Sequence, residues 1–150
     1  MTLGPISSAG SYMQRFGNAV VSAPSTDDAK KSDEAQKAEF EKKKEEINSH
    51  VIAHEQKHLD AAGKYAEGGI HIDYDENGVA KGGHVNVKMP TLNEKNPEET
   101  IEHAKTIQKS ATAPDDPSDQ DLKVYAEASK VLFQAQQLLN KNRSQEKTQK

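Results

Sequence analysis

His54-Glu55-Gln56-Lys57-His58 is the stretch of this sequence whose residue types and spacing amount to a reaction site. On a helix, His54 and His58 stack one turn apart, ~5–6 Å between Cβ atoms, so both imidazoles can meet on one ion. Glu55 then sits about 100° round the helix from His54. That puts it beside the ion rather than on it, placed to take a proton from a metal-activated water. Zinc lowers the pKa of such a water to around 7, giving a hydroxide-like nucleophile at neutral pH. The chemistry expected is hydrolysis, with His54 and His58 as metal ligands and Glu55 as general base.

The surrounding residues must supply the helix. From Ser32 to Ala62 the chain is rich in Ala, Glu, Lys and Gln and lacks both Gly and Pro. This predicts a helix of about 30 residues, bent or broken near Asn48-Ser49 where propensity dips. Ile47, Val51, His54, His58 and Ala62 share one face, so both histidines point into the domain. Gly63 or the Gly68-Gly69 pair ends the helix.

A catalytic zinc takes a third protein ligand and keeps a fourth position open. Residues 63–69 offer only Glu67, at or beyond the helix end. Residues 70–89 then switch to a period of two. Ile70, Ile72 and Tyr74 alternate with His71, Asp73 and Asp75; after Asn77-Gly78, Val85, Val87 and Met89 alternate with His84, Asn86 and Lys88. Asn-Gly between such runs predicts a hairpin with a two-residue turn, because both residues tolerate positive φ. Gly82-Gly83 predicts a bulge or a close backbone approach. Counting outward from the turn pairs His71 with His84 on one face. His84 is the candidate third ligand. His71 is the alternative, or a group that stabilises charge on the substrate. His50, one turn before His54, is too far along the axis to join His58 on one ion, and His103 reads as an exposed helix residue.

Two further helices are expected. Asn96-Pro97-Glu98-Glu99 offers an N-cap and a Pro at the first helical position, with Ile101, Ala104 and Ile107 as the apolar stripe. Ala113-Pro114-Asp115-Asp116-Pro117 breaks that helix. Ser118 to Asp121 is a capping box, opening a helix with Leu122, Tyr125, Ser129, Leu132, Gln136 and Leu139 on one side.

Composition bounds the rest. Hydrophobic residues make up 33% of the 150, and even with nine glycines the apolar share stays under the roughly 45–50% usual for a globular domain. Mean hydropathy is -0.94. We therefore expect one domain over 32–140, a flexible leader over 1–31 with a brief contact through Tyr12, Met13 and Phe16, and a disordered polar tail over 141–150. Net charge is -4, and the basic residues cluster only at Lys42-Lys43-Lys44, followed at once by Glu45-Glu46, and in the last ten residues. Nucleic-acid binding, which needs a basic face for its phosphate contacts, is not expected. No apolar run approaches the ~18–20 residues of a transmembrane segment, and no secretory signal is visible. With no cysteine, a metal must rely on His and carboxylate ligands, and a cytoplasmic setting is the default expectation.

The run Val51-Ile52-Ala53-His54-Glu55-Gln56-Lys57-His58-Leu59-Asp60-Ala61-Ala62-Gly63, followed by Tyr65-Ala66-Glu67-Gly68-Gly69, resembles the SprA-related family of bacterial proteins assigned as zinc metallopeptidases. Thr100-Ile101 through Ala113-Pro114-Asp115-Asp116-Pro117-Ser118-Asp119-Gln120-Asp121 resembles the family's Ala-Pro-x-Asp-Pro-Ser-x-Gln-Asp segment. Gly82-Gly83-His84-Val85 stands where the family has a Gly-Gly-Glu-Val-like strand. The resemblance implies zinc on His54 and His58 and Glu55 as base. It also implies a change from a two-His/one-carboxylate site to a three-His site, since His84 replaces the family's strand Glu.

The expectation is an α+β, mainly helical, zincin-like domain: a long helix carrying the motif, one β-hairpin and two C-terminal helices. Its expected activity is that of a zinc-dependent metallopeptidase with Zn2+ on His54, His58 and His84 and Glu55 activating water. Its partner would be a peptide or protein substrate, added as a strand along the hairpin edge. The competing expectation is a non-catalytic zinc-stabilised interaction domain, in which the metal clamps helix to hairpin.

Overall fold

Thirty-seven residues with neither Gly nor Pro form helix α1 (Thr26–Ala62), whose N-terminus precedes the expected Ser32 by six residues. The computed structural model describes residues 26–149. The leader contact expected at Tyr12, Met13 and Phe16 lies outside them. The chain divides inside α1 into two units, residues 1–37 and 38–150. The described part of the first unit is the opening turns of α1, with residues 29–37 all exposed. The elements below belong to the second.

The helix runs without a break through Asn48-Ser49, where a bend or a break was expected. Asn48 is occupied elsewhere: its Nδ2 donates to the Gly78 carbonyl (3.0 Å), and its Oδ1 accepts from the Ala80 N–H (2.7 Å). Side-chain atoms committed to the hairpin cannot compete for α1's own backbone. The buried stripe of α1 includes Glu55, His58 and Ala62, whereas Ile47 is exposed. Gly63, at φ +53°, ends the helix in the left-handed region where a Cβ would be strained.

A 3-10 turn (Gly63–Tyr65) leads into β1 (Ala66–Tyr74), which pairs antiparallel with β2 (Ala80–Val87). His71 faces His84, as counting from the turn predicts, but by a different route. Asp75 and Val79 close a loop one residue longer than Asn77-Gly78, and a register shift beside Lys81 restores the count, so that Asp73 faces Gly82 and Ile72 faces Gly83. The bulge thus falls one residue before the glycine pair.

Helix α2 (Pro97–Ala111) starts at an Asn96 cap with Pro at its first position, and α3 (Asp119–Thr148) starts at the Ser118–Asp121 capping box. The two helices pack on each other, burying Ala104, Ile107 and Ala111 on α2 and Ala128 and Ala135 on α3. The expected stripe holds only in part: Leu122 and Tyr125 are exposed, Leu132 and Leu139 are half-buried, Ser129 meets α2 through Gln108, and the residues fully buried are the small Ala128 and Ala135. Residues 141–148 lack Gly and Pro, and α3 continues through them past the expected stop at Asn140, with Ser144 and Thr148 hydroxyls donating to carbonyls one turn back. The architecture is mainly helical with one two-stranded hairpin. Among the described residues no helix is long and apolar enough to cross a membrane.

Candidate metal centre

His54, Glu55 and His58 all lie on α1, and each imidazole is fixed from behind. Nδ1 of His58 is 2.7 Å from the Ser110 carbonyl oxygen on α2, and the Ser110 hydroxyl donates to the His58 carbonyl (2.7 Å). A carbonyl only accepts, so Nδ1 carries the hydrogen and the neutral ring presents a bare Nε2 lone pair. Nδ1 of His54 lies 3.2 Å from Oδ1 of Asp116, and a carboxylate selects the same tautomer. The loop that breaks the α2 pattern thereby supplies an orienting carboxylate.

The two Nε2 atoms are 3.3 Å apart. Oδ2 of Asp121, in the first turn of α3, is 3.3 Å from His58 Nε2 and 4.0 Å from His54 Nε2. Two lone pairs and a carboxylate converge, with the ring hydrogens turned away, and a cation satisfies that arrangement. The ligating atoms of His54, His58 and Asp121 fall within 4.8 Å of one another, close enough to hold a metal ion. The donor set, two imidazoles and a carboxylate, suits zinc. The hydrogen bonds to Ser110 and Asp116 are the outer partners that ligand histidines ordinarily have.

His84, the third ligand expected from the sequence, lies outside this trio. It stacks on His71 across the hairpin, ring centroids 4.9 Å apart and 14° from parallel. It also lines a cavity of about 410 Å³ that takes in His58 and Asp121. His50 is exposed. His103 is half-buried rather than exposed: its Nε2–H donates to the Lys88 carbonyl (2.7 Å), and its ring stacks on Tyr65 at 3.6 Å.

Glu55 is buried, with 5% of its surface exposed. Burial pushes its carboxyl above the usual glutamate range, against the downward pull of His58, His54 and His84. The hairpin lies against it: a Cβ on Gly83 would come within 2.8 Å of Glu55 Cγ. The glycine pair thus marks the close backbone approach that the sequence predicts, and Gly83 is the position that needs it.

Sequence reasoning passed over Asp121 because the capping box already explained it. The cap is real: Ser118 N–H and Oγ each donate to Asp121 Oδ2 at 2.7 Å. The same oxygen also faces the histidines. Ser110 carried no signal, since it holds the His58 imidazole through a backbone carbonyl. Asp116 stood in the Ala-Pro-x-Asp-Pro stretch without a partner to assign.

A model of the SprA-related family matches residues 18–150, a span that contains every residue of this site. No curated protein and no solved structure matches the chain.

Proposed function

The chain belongs to the SprA-related family, and from that premise we propose that it is a zinc-dependent peptidase, zincin-like in its use of a metal held on a helix. The observation that carries this reading is the convergence of His54, His58 and Asp121 with Glu55 buried beside them. In this proposal Asp121 takes the third ligand position for which the sequence pointed to His84, and His84 faces the substrate cavity.

Zinc, when bound, supplies Lewis acidity and brings a water's pKa to around 7. The protein does the rest. Ser110 and Asp116 hold the rings so that both Nε2 atoms face inward. Glu55 accepts the water's proton on its carboxylate and passes it to the amide nitrogen of the departing peptide. Its raised proton affinity suits it to both halves of that transfer. The hairpin backbone at Gly83 limits where the Glu55 side chain can go.

Glu55→Gln tests the mechanism. The variant should retain one equivalent of zinc by elemental analysis and lose peptide cleavage; undiminished cleavage refutes the role of Glu55. A structural use of the same metal has one observation in its favour: Ile107 is the only large side chain fully buried among the described residues, and alanines make up most of the remaining core. So thin a core gains from a staple between α1 and α3. Under that reading chelation melts the protein and no peptide is cut.

A further inference from the structure

We propose that the cleft between β2 and α3 selects an extended peptide carrying Lys or Arg about three residues from the bond presented to the metal cluster, and that Glu127 reads this cation. The proposal rests on the peptidase reading and names its substrate class.

The strand's geometry comes first. Four consecutive β2 residues, His84 to Val87, line the cavity that takes in His58 and Asp121. Successive strand residues point to opposite faces, so four in a row line one cavity only if it lies along the strand's edge. The other edge of β2 is taken by β1, and among the described residues the sheet has two strands. The cavity therefore borders a free edge, where an extended peptide can add by main-chain hydrogen bonds.

Alpha-helical spacing supplies the ruler. Asp121, Val124 and Glu127 recur at intervals of three along α3, and all three line this cavity. At 1.5 Å per residue, Glu127 lies ~9 Å along the helix from Asp121. An extended peptide advances ~3.3 Å per residue, so for a peptide running alongside α3 Glu127 stands level with the third residue from the cluster.

Charge supplies the selectivity. Asp121 faces the two histidines and the Ser118 cap. Glu127 is the other carboxylate in the cavity wall, and no described cation lies within 4 Å of it, Lys123 and Lys130 one turn away included. The same cavity wall includes Val85, Val87, Met89 and Val124 beside the polar Asn86 and Gln120, so it also accepts apolar side chains next to the cation.

The test uses zinc-loaded Glu55→Gln protein, which binds without cutting, and fluorescent peptides in which one Lys or its uncharged isostere norleucine moves along an otherwise fixed sequence. A hydroxamate at either end of the peptide fixes the metal-facing position. Anisotropy should show a preference for Lys of about fivefold, peaking at the third residue from the hydroxamate and fading in high salt. Adding Glu127→Gln should abolish the preference, and Glu127→Lys should transfer it to a Glu-bearing peptide. Far-UV dichroism checks that these exposed-site variants stay folded. A preference that survives Glu127→Gln, a flat scan, or failure of every peptide to bind overturns the proposal. If wild-type protein cuts peptides without this preference, the cleft inference fails and the peptidase stands. If the preference tracks Glu127 while wild type never cuts, the peptidase reading fails and the cleft stands.

Discussion

Replacing Gly83 with Ala asks one methyl group to occupy space already filled by the catalytic candidate. The added Cβ would meet Glu55 Cγ, the His71 carbonyl oxygen and Ile72 Cδ1, each at 2.8 Å. Carbon contacts are comfortable at about 3.5–4.0 Å, so each must open by most of an ångström. Glu55 Cγ and Ile72 Cδ1 belong to side chains that can turn, but the His71 carbonyl is fixed in the strand. Overpacking of this kind costs about 1–3 kcal/mol, and with one unyielding backbone partner we take about 2. Gly83 is not at positive φ, so backbone strain adds nothing. Gly82→Ala is the matched control, since its Cβ meets nothing within 4 Å and its φ is equally permissive. Any gain from a less flexible unfolded chain is common to both variants. Urea melts should therefore separate the two by about 2 kcal/mol, and thermal melts by roughly 8 °C. Cleavage should fall more steeply than stability, by up to about a hundredfold, because a general base moved by an ångström is badly placed. Bound zinc should be unchanged. If Gly83→Ala is as stable and as active as Gly82→Ala, the hairpin does not bear on Glu55 and the argument for its positioning fails.

Asp121→Ala should weaken zinc binding by at least tenfold to a hundredfold in competition titrations, whereas His84→Ala should leave it within a few fold; the opposite ranking restores His84 as the third ligand. Asp116→Asn keeps the shape but removes the charge behind His54, and should weaken zinc by about tenfold, with the fold intact by dichroism. Asn48→Ala deletes both bonds between α1 and the hairpin turn and should lower stability by about 1–3 kcal/mol in urea melts. In chelator-treated protein, burial makes Glu55 hold its proton more tightly than the unfolded chain does, so its ionisation opposes folding. That cost is absent below pH ~4.3 and fully present above the raised value, so the stability advantage of Glu55→Gln should grow as pH rises from about 4 through the raised value. An advantage that is constant or shrinks with pH contradicts the burial argument.

Local signals made the elements legible: Asn-Gly for the hairpin, Asn96-Pro97 and Ser118–Asp121 for the starts of α2 and α3, Gly63 for the end of α1. Each works through groups within a few residues of one another, which is what a sequence displays. The placement of His54 and His58 on one helix was legible for the same reason. What escaped depends on partners far along the chain. Asn48 reads as a weak point in α1 until its partners 30 and 32 residues away are known. The buried face of α3 was legible only in part, because Leu and Tyr attract an apolar reading, whereas close packing on α2 selects Ala128 and Ala135. Asp121 was hidden by its own local explanation, for a residue that completes a capping box leaves nothing unexplained in sequence.

That double use of Asp121 has a geometric consequence. Its Oδ2 accepts two bonds from Ser118 at the start of α3 and also faces the His54 and His58 nitrogens. The cap therefore fixes the oxygen in place opposite the two imidazole lone pairs. A ligand set of His54, His58 and Asp121 has the charge of the two-His/one-carboxylate site that the family resemblance implies. Here the carboxylate arrives on α3, and the strand position holds His84. With the carboxylate on α3, β2 itself carries no acidic side chain. Under the proposed function, a peptide laid along the β2 edge would meet the imidazole of His84, which can donate a hydrogen bond to its carbonyl groups, in place of a carboxylate that would repel them. Glu127, on the opposite wall, then becomes the cavity's one carboxylate outside the metal cluster, free to discriminate among the peptide's side chains.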